Sequence, residues 1–229
     1  MPLADLRLRD LVAQLGSSAP VPSGGAAAVT ASLGATLVSM VAELSDGNLA
    51  RAAHRETQVR VGAAAPTLAD RFLDLADADA MAFAGFGEAR RRPRMTDDQR
   101  AARSATTRRA ARQAAEVPLG GMGACLDLAR GAETLAGRTN PNVARDLVVA
   151  PLVAEAAARA AAANVNVNLP LVEDPVCGAA TSERVATLQA AIDRLGDVTR
   201  AVVANGVARG AEGLDDLSTA IDAGQEVTA

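Results

Sequence analysis

The chain has 229 residues, 49% of them apolar, which suits one domain with a generous core and excludes a disordered or solvating role. Its formal charge is −4, and all 23 basic residues are arginine, so Schiff-base chemistry and any lysine proton shuttle are excluded. Tyr and Trp are absent, and Cys125 and Cys177 are isolated thiols without CxxC spacing, pointing to neither a disulfide framework nor a zinc site.

Ala dominates, and long stretches repeat apolar residues at helical spacing, so the pattern predicts an all-α fold, a multi-helical antiparallel bundle of long Ala-rich helices. In chain order it predicts helices over 3–15, 24–46, 49–64, 66–90, 96–136 with a break near Pro118, 142–163 and 181–211. The first carries Asp5, Arg7, Arg9 and Asp10 among its leucines; it lacks the basic start and continuous apolar core of a signal peptide, which points to the cytoplasm. The uncharged run from Leu11 to Ala42 is long enough to span a membrane, but Pro20, Pro22 and the Gly24-Gly25 pair cut it, so no membrane association is expected. In the same segment Ser23 is placed to cap the next helix, and Gly24 and Gly25 let a ligand approach the backbone, making this helix start a candidate anion site. Pro66 and Pro141 read as first-turn residues, with Asn140 as a cap before Pro141. Asn164-Val-Asn-Val-Asn-Leu169 alternates with period two and reads as an extended exit or a minor strand before a loop enforced by Pro170 and Pro175. Buried alanines remove little area from water, so two copies packed as a homodimer are expected.

Helical phase sorts the acids. At about 100° per residue, Asp79 shares a face with Leu68, Phe72, Ala76, Phe83 and Phe86, while Asp70, Asp74 and Asp77 lie opposite. A carboxylate on that face has a raised pKa, as a general acid or base requires, unless an arginine or a helix end satisfies it structurally. After Pro141 the same test places Asn142, Asp146 and Asn164 on one stripe with Val153, Ala157 and Ala160, with Glu155 and Arg159 facing away. That stripe suits the edges of a flat heterocycle or another helix, and Asp146 has the plainer reading of complementing a helix dipole. A third polar track, Gly25, Ser32, Thr36, Ser39 and Glu43, lies on helix 24–46. His54, the sole histidine, sits between Arg51 and Arg55 and reads as solvated, which argues against serine-histidine catalysis. Neither a Walker loop nor a Rossmann fingerprint is present. Between Arg90 and Arg112 nine arginines face only Asp97 and Asp98. This is a solvated face, or a docking strip for a polyanionic ligand tail or nucleic acid, the last disfavoured by the lack of stacking aromatics.

Five motifs in order resemble the cyclodeaminase/cyclohydrolase family, which comprises the cyclodeaminase part of formiminotransferase-cyclodeaminase and bacterial methenyltetrahydrofolate cyclohydrolases. Pro20-Val-Pro-Ser-Gly-Gly resembles its PxPGGGS opening, and Asp77-Ala-Asp79-Ala-Met-Ala-Phe83 its DxDAxAF helix. Ala114-Ala-Glu-Val-Pro-Leu119 is similar to AAxVPL, Asn140-Pro-Asn142-Val-Ala-Arg-Asp146 to NPNxxSD, and Asn164-Val-Asn-Val-Asn168-Leu to NVxINL. The likeness runs over about residues 3–210, with Ser23, Ala26, Glu43 and Arg145 replacing Gly, Ser, Asn and Ser of the pattern. It implies an all-helical dimer handling one-carbon units on tetrahydrofolate, with the folate as substrate and no metal, nucleotide or tightly bound cofactor.

Both family reactions pass through a tetrahedral carbon derived from an amidinium, and each needs a carboxylate near the cation and a group that moves a proton at neutral pH. Asp79 and Asp146 fit those two roles, with Asp79 assigned to proton transfer and Asp146 to cation stabilisation, an assignment open to exchange. Asn142 and Asn168 would hydrogen-bond the pterin or orient water, and the amides around Ser23, Gly24 and Gly25 would hold an anionic or carbonyl group of the folate. Hydrolysis of the methenyl bridge is preferred to cyclodeamination because a free-standing domain lacks the fused transferase that delivers a formimino substrate. The competing class is a non-catalytic helical protein, or a divergent paralogue, binding another ligand.

Overall fold

The computed structural model describes residues 2–17, 22–47 and 49–206, and among them every regular element is a helix. The order is α1 (Leu8–Leu15), α2 (Ser23–Glu43), α3 (Arg55–Arg91), α4 (Asp97–Leu135), α5 (Val149–Val172) and α6 (Pro175–Asn205), with short 3-10 helices at Leu3–Asp5, Leu49–His54 and Ala144–Val148. Pro20 and residues 207–211 of the last predicted helix lie outside the described residues.

The chain folds as two compact units. The first takes residues up to Thr30, Arg71–Gly123 and Ala156–Ala190; the second takes Ala31–Asp70, Ala124–Glu155 and the chain from Ala191. In the first unit Leu3, Leu11 and Ala76 are buried together, with Leu6, Ala28, Val29 and Ala80 packed on them, so the N-terminal segment closes over the meeting of α2 and α3. The amide of Leu3 donates to Asp77 Oδ1 at 2.5 Å and fixes that segment to α3. Asp77 therefore does not lie on a solvent face opposite Asp79; it anchors the N-terminus.

In the second unit the helices approach through small residues. A Cβ on Gly34 of α2 would collide with Val153 of α5, and one on Gly131 of α4 would meet Val38 at 3.7 Å and Val61 at 3.9 Å. Close approach through glycine and alanine is how this sequence fills an interior with few large side chains. Polar ties add to it. Gln58 Nε2 donates to the Arg138 carbonyl at 2.6 Å, the Asn140 amide donates to Ser45 Oγ at 2.9 Å, and Arg200 donates to Glu155 at 2.7 Å. Glu155, expected to face away, is thus held by α6.

Proline accounts for three departures from the predicted elements. α3 runs unbroken through Pro66, α4 through Pro118 and α5 through Pro170. A proline costs a helix one hydrogen bond and a steric adjustment, but here its neighbours are anchored: Ala65 and Ala69 flank Pro66 and are buried, and Pro118 is itself buried three residues after buried Ala115. The 164–169 segment is helical too, because Asn164 and Asn168 form an i, i+4 pair and Val165 and Val172, seven apart, are both buried. Conversely, 144–148 is a 3-10 turn rather than α-helix, and α6 begins at Pro175, six residues before its predicted start. Phe83, expected in the interior, is 62% exposed.

Two helical stretches, Ser23–Glu43 and Ala144–Val172, are long and apolar enough to cross a membrane by length and composition; half of the first one's apolar window is buried inside the protein.

Candidate active site

The site is built where the first turn of α2 meets the middle of α3. Ser23 lies inside the first turn and does not stand before it as a cap; the Ala26 amide already bonds the Pro22 carbonyl. The free amide of Gly25 is satisfied by Asp79, whose Oδ2 accepts it at 3.0 Å. The anion at this helix start is therefore the protein's own carboxylate, a favourable placement at the positive end of the helix dipole.

Gly24 leaves at this junction the room that the Asp79 and Asn164 side chains occupy. A Cβ there would stand 2.7 Å from Asp79 Oδ2 and 2.7 Å from Asn164 Nδ2. Those two distances also establish that the Asp79 carboxylate and the Asn164 carboxamide share one small space over the glycine pair. In the sequence Asn164 belongs to the polar stripe and opens the NVxINL-like motif, and neither pattern places it beside Asp79.

Asp79 is half-buried, and no arginine pairs with it among the described residues. Desolvation raises its pKa above the ordinary carboxylate value, and the Gly25 hydrogen bond offsets part of that rise. A carboxylate in this state is a stronger base than a solvated one and accepts a proton closer to neutral pH. One turn along α5 from Asn164, Asn168 Nδ2 donates to the Asn164 carbonyl at 2.8 Å and the Ala114 carbonyl at 3.2 Å. Both donors are thus directed at backbone, and Oδ1 is left as the atom able to accept from a ligand.

Ser23, Gly24, Gly25, Asp79, Asn164 and Asn168 all belong to the first unit, whereas Asn142 and Asp146 belong to the second. Asn142 is exposed, and its amide donates to Asn140 Oδ1 at 3.0 Å in a turn. Asp146 is half-buried in the 3-10 helix, where its carbonyl accepts the Val149 amide at the start of α5. The unbroken α-helix expected over 142–163 does not form: residues 144–148 are a 3-10 helix and α5 begins at Val149. Among the described residues no group of three or more His, Cys, Asp and Glu side chains could hold a metal ion. Cys125 is buried, and desolvation pushes its thiol up to about 12, so it takes no part in chemistry at neutral pH.

A model of the formiminotransferase-cyclodeaminase family matches residues 7–187. The chain is 37% identical over 161 residues to a methenyltetrahydrofolate cyclohydrolase of Methylorubrum extorquens, covering 70% of this chain and 77% of that protein. It is 33% identical over 187 residues to the formimidoyltransferase-cyclodeaminase of Mus musculus, covering 81% of this chain but 35% of that longer protein. In structure it resembles formiminotetrahydrofolate cyclodeaminase of Thermotoga maritima, with a TM-score of 0.79 over 88% of this chain and 98% of the other, at 22% identity. At that identity the structural likeness bears on the fold.

Proposed function

Because the chain belongs to the formiminotransferase-cyclodeaminase family, we propose that it is a folate one-carbon enzyme hydrolysing 5,10-methenyltetrahydrofolate to 10-formyltetrahydrofolate. The carbon bridging the two folate nitrogens is an amidinium carbon. Water adds to it through a new C–O bond, the C–N5 bond then breaks, N5 takes up a proton, and one proton is released overall. The reaction uses water alone and calls for no tightly bound cofactor.

The observation that carries this reading is the state of Asp79: half-buried, raised in pKa by desolvation, bonded to the Gly25 amide and unpaired with arginine among the described residues. Such a carboxylate takes the proton from attacking water and returns it to N5, and its negative charge favours a cationic substrate. Asn164 and the Oδ1 of Asn168 supply hydrogen bonds to the pterin edge or the water. Asp146 and Asn142, from the NPNxxSD-like motif, are assigned to cation stabilisation and pterin binding. The working form is a cytoplasmic homodimer.

Hydrolysis is preferred because the cyclohydrolase relative is matched over most of its length. A second reading, cyclodeamination of 5-formiminotetrahydrofolate with loss of ammonia, is favoured by the name of the mouse relative. Incubation with methenyltetrahydrofolate at neutral pH, followed by its near-ultraviolet absorbance against the spontaneous rate, tests the first; ammonia release from the formimino compound tests the second. Asp79→Asn lowers turnover by about a hundredfold or more with the helical circular dichroism intact. Asp146→Asn does the same if its role is catalytic. Absence of both reactions in the unmodified protein would overturn the enzyme reading in favour of a binding protein.

A further inference from the structure

The arginine-rich segment that the proposed reaction leaves unused forms a cavity of about 500 Å³ in the first unit, bounded by the end of α3, the start of α4 and the α5–α6 junction. Arg90, Arg94, Arg100, Arg103, Arg108 and Ser104 line it. Two of its arginines are tethered to backbone carbonyls. Arg103 Nε donates to the Arg90 carbonyl at 3.0 Å, and Arg100 donates to the Arg94 and Met95 carbonyls at 3.3 and 3.1 Å. These carbonyls terminate α3 and follow it, where the helix dipole is negative, so the tethers fix the guanidinium stems and leave further N–H groups of each fork available. Arg90 lies over the Phe86 ring at 5.9 Å.

The charge within the cavity is unbalanced. Of the five guanidinium groups, Arg100 pairs with Asp97 and Arg108 with Glu173 at 2.9 Å, which leaves a net excess of three positive charges. No acid pairs with Arg90, Arg94 or Arg103 among the described residues, and the Ser104 and Thr107 hydroxyls add neutral donors on the α4 wall. Glu173 is the one non-glycine residue with positive φ among the described residues, at 57°, a strained conformation that holds its carboxylate on Arg108 at the cavity wall. Pro170 and Leu171 give the opposite wall an apolar surface.

We propose that this cavity binds a small molecule carrying two linked phosphoryl groups. At neutral pH the inner phosphoryl of a substituted diphosphate carries one negative charge and the terminal one about −1.5 to −2, together close to the excess of three, whereas one phosphate or a monocarboxylate leaves guanidinium charge uncompensated. Guanidinium forks match phosphate oxygens in pairs, and the hydroxyls complete the donor set. The Pro170–Leu171 wall accepts the organic part of the ligand, and Glu173 competes with it for Arg108.

Calorimetric titration of the full chain with inorganic pyrophosphate at low salt tests the site. Saturable binding is expected, with orthophosphate about tenfold weaker or worse and affinity falling as salt rises. The double variant Arg94→Ala/Arg103→Ala weakens pyrophosphate by about tenfold or more. Glu173→Gln tightens it several-fold, a gain that a misfolded protein cannot give. Failure to saturate at millimolar pyrophosphate, or binding unmoved by either variant, would overturn the proposal. So would citrate or a glutamate oligopeptide binding as tightly as pyrophosphate, because the cavity would then read carboxylates. The titration requires no turnover, so its outcome is independent of the folate reaction.

Discussion

Asp79 bears on stability with a sign opposite to that of a paired surface acid. Its folded pKa is raised above the unfolded value by desolvation, so between those two values the native state holds more protons than the unfolded one. Its stabilising contribution is present below the unfolded pKa and is lost as pH rises through the folded pKa, and at neutral pH the buried charge is a cost. Asp79→Asn, which keeps a carbonyl for the Gly25 amide, is therefore expected to unfold in urea at the same concentration as the natural protein or a higher one at pH 7, with the difference shrinking toward pH 4. The acid limb of the hydrolysis rate against pH is expected above the ordinary carboxylate range, reporting the same shift, and a limb at the usual carboxylate position would remove Asp79 as the base. Gly24→Ala places a methyl group within 2.7 Å of Asp79 and Asn164 and displaces both, so it should reduce turnover far more than it reduces helix content.

Among the elements, α6 has the most readable start. Asp174 Oδ1 accepts the Cys177 amide at 3.0 Å with Pro175 at the first helical position, and this cap, followed by the Arg112 guanidinium, holds the Asp174 pKa below its ordinary value. Its stabilisation is present above the unfolded pKa and lost as pH falls through the lowered folded one. Asp174→Ala is accordingly expected to melt at a lower temperature than the natural protein at pH 7, and the two melting curves should converge in strong acid. The Asp174-Pro175 pair is visible in the sequence, but there Pro170 and Pro175 together read as enforcing a loop. Proline reports only a local penalty, and whether it ends a helix depends on how much its flanks bury, which Ala65, Ala69 and Val172 settle here and which no local pattern contains. The all-helical class and the partial burial of Asp79 were legible for the opposite reason: a period near 3.6 over a long, strongly patterned segment depends on the helix alone. What the sequence did not disclose was the partner of Asp79. Its contact with Gly25 spans 54 residues, and its proximity to Asn164 depends on how separate helices pack.

For the molecule as a whole, composition limits how far one copy can stabilise itself. Its buried apolar residues are largely alanine, each removing little area from water, while Leu33, Met81, Phe83 and Val167 stand 62–73% exposed on α2, α3 and α5. Large exposed apolar side chains on helices whose interiors are filled by small ones are what a second copy would cover, and the association would add the area that the alanines do not provide. If the homodimer is the stable form, folding and association are linked by mass action, and the melting temperature must rise with protein concentration. Sedimentation at micromolar concentration should give twice the chain mass, and a tenfold dilution should lower the melting temperature measurably. Phe83→Asp, which changes a side chain already 62% exposed, should shift the sedimenting mass toward one chain with helix content retained; a single-chain mass in the natural protein, with a melting temperature independent of concentration, would rule the dimer out.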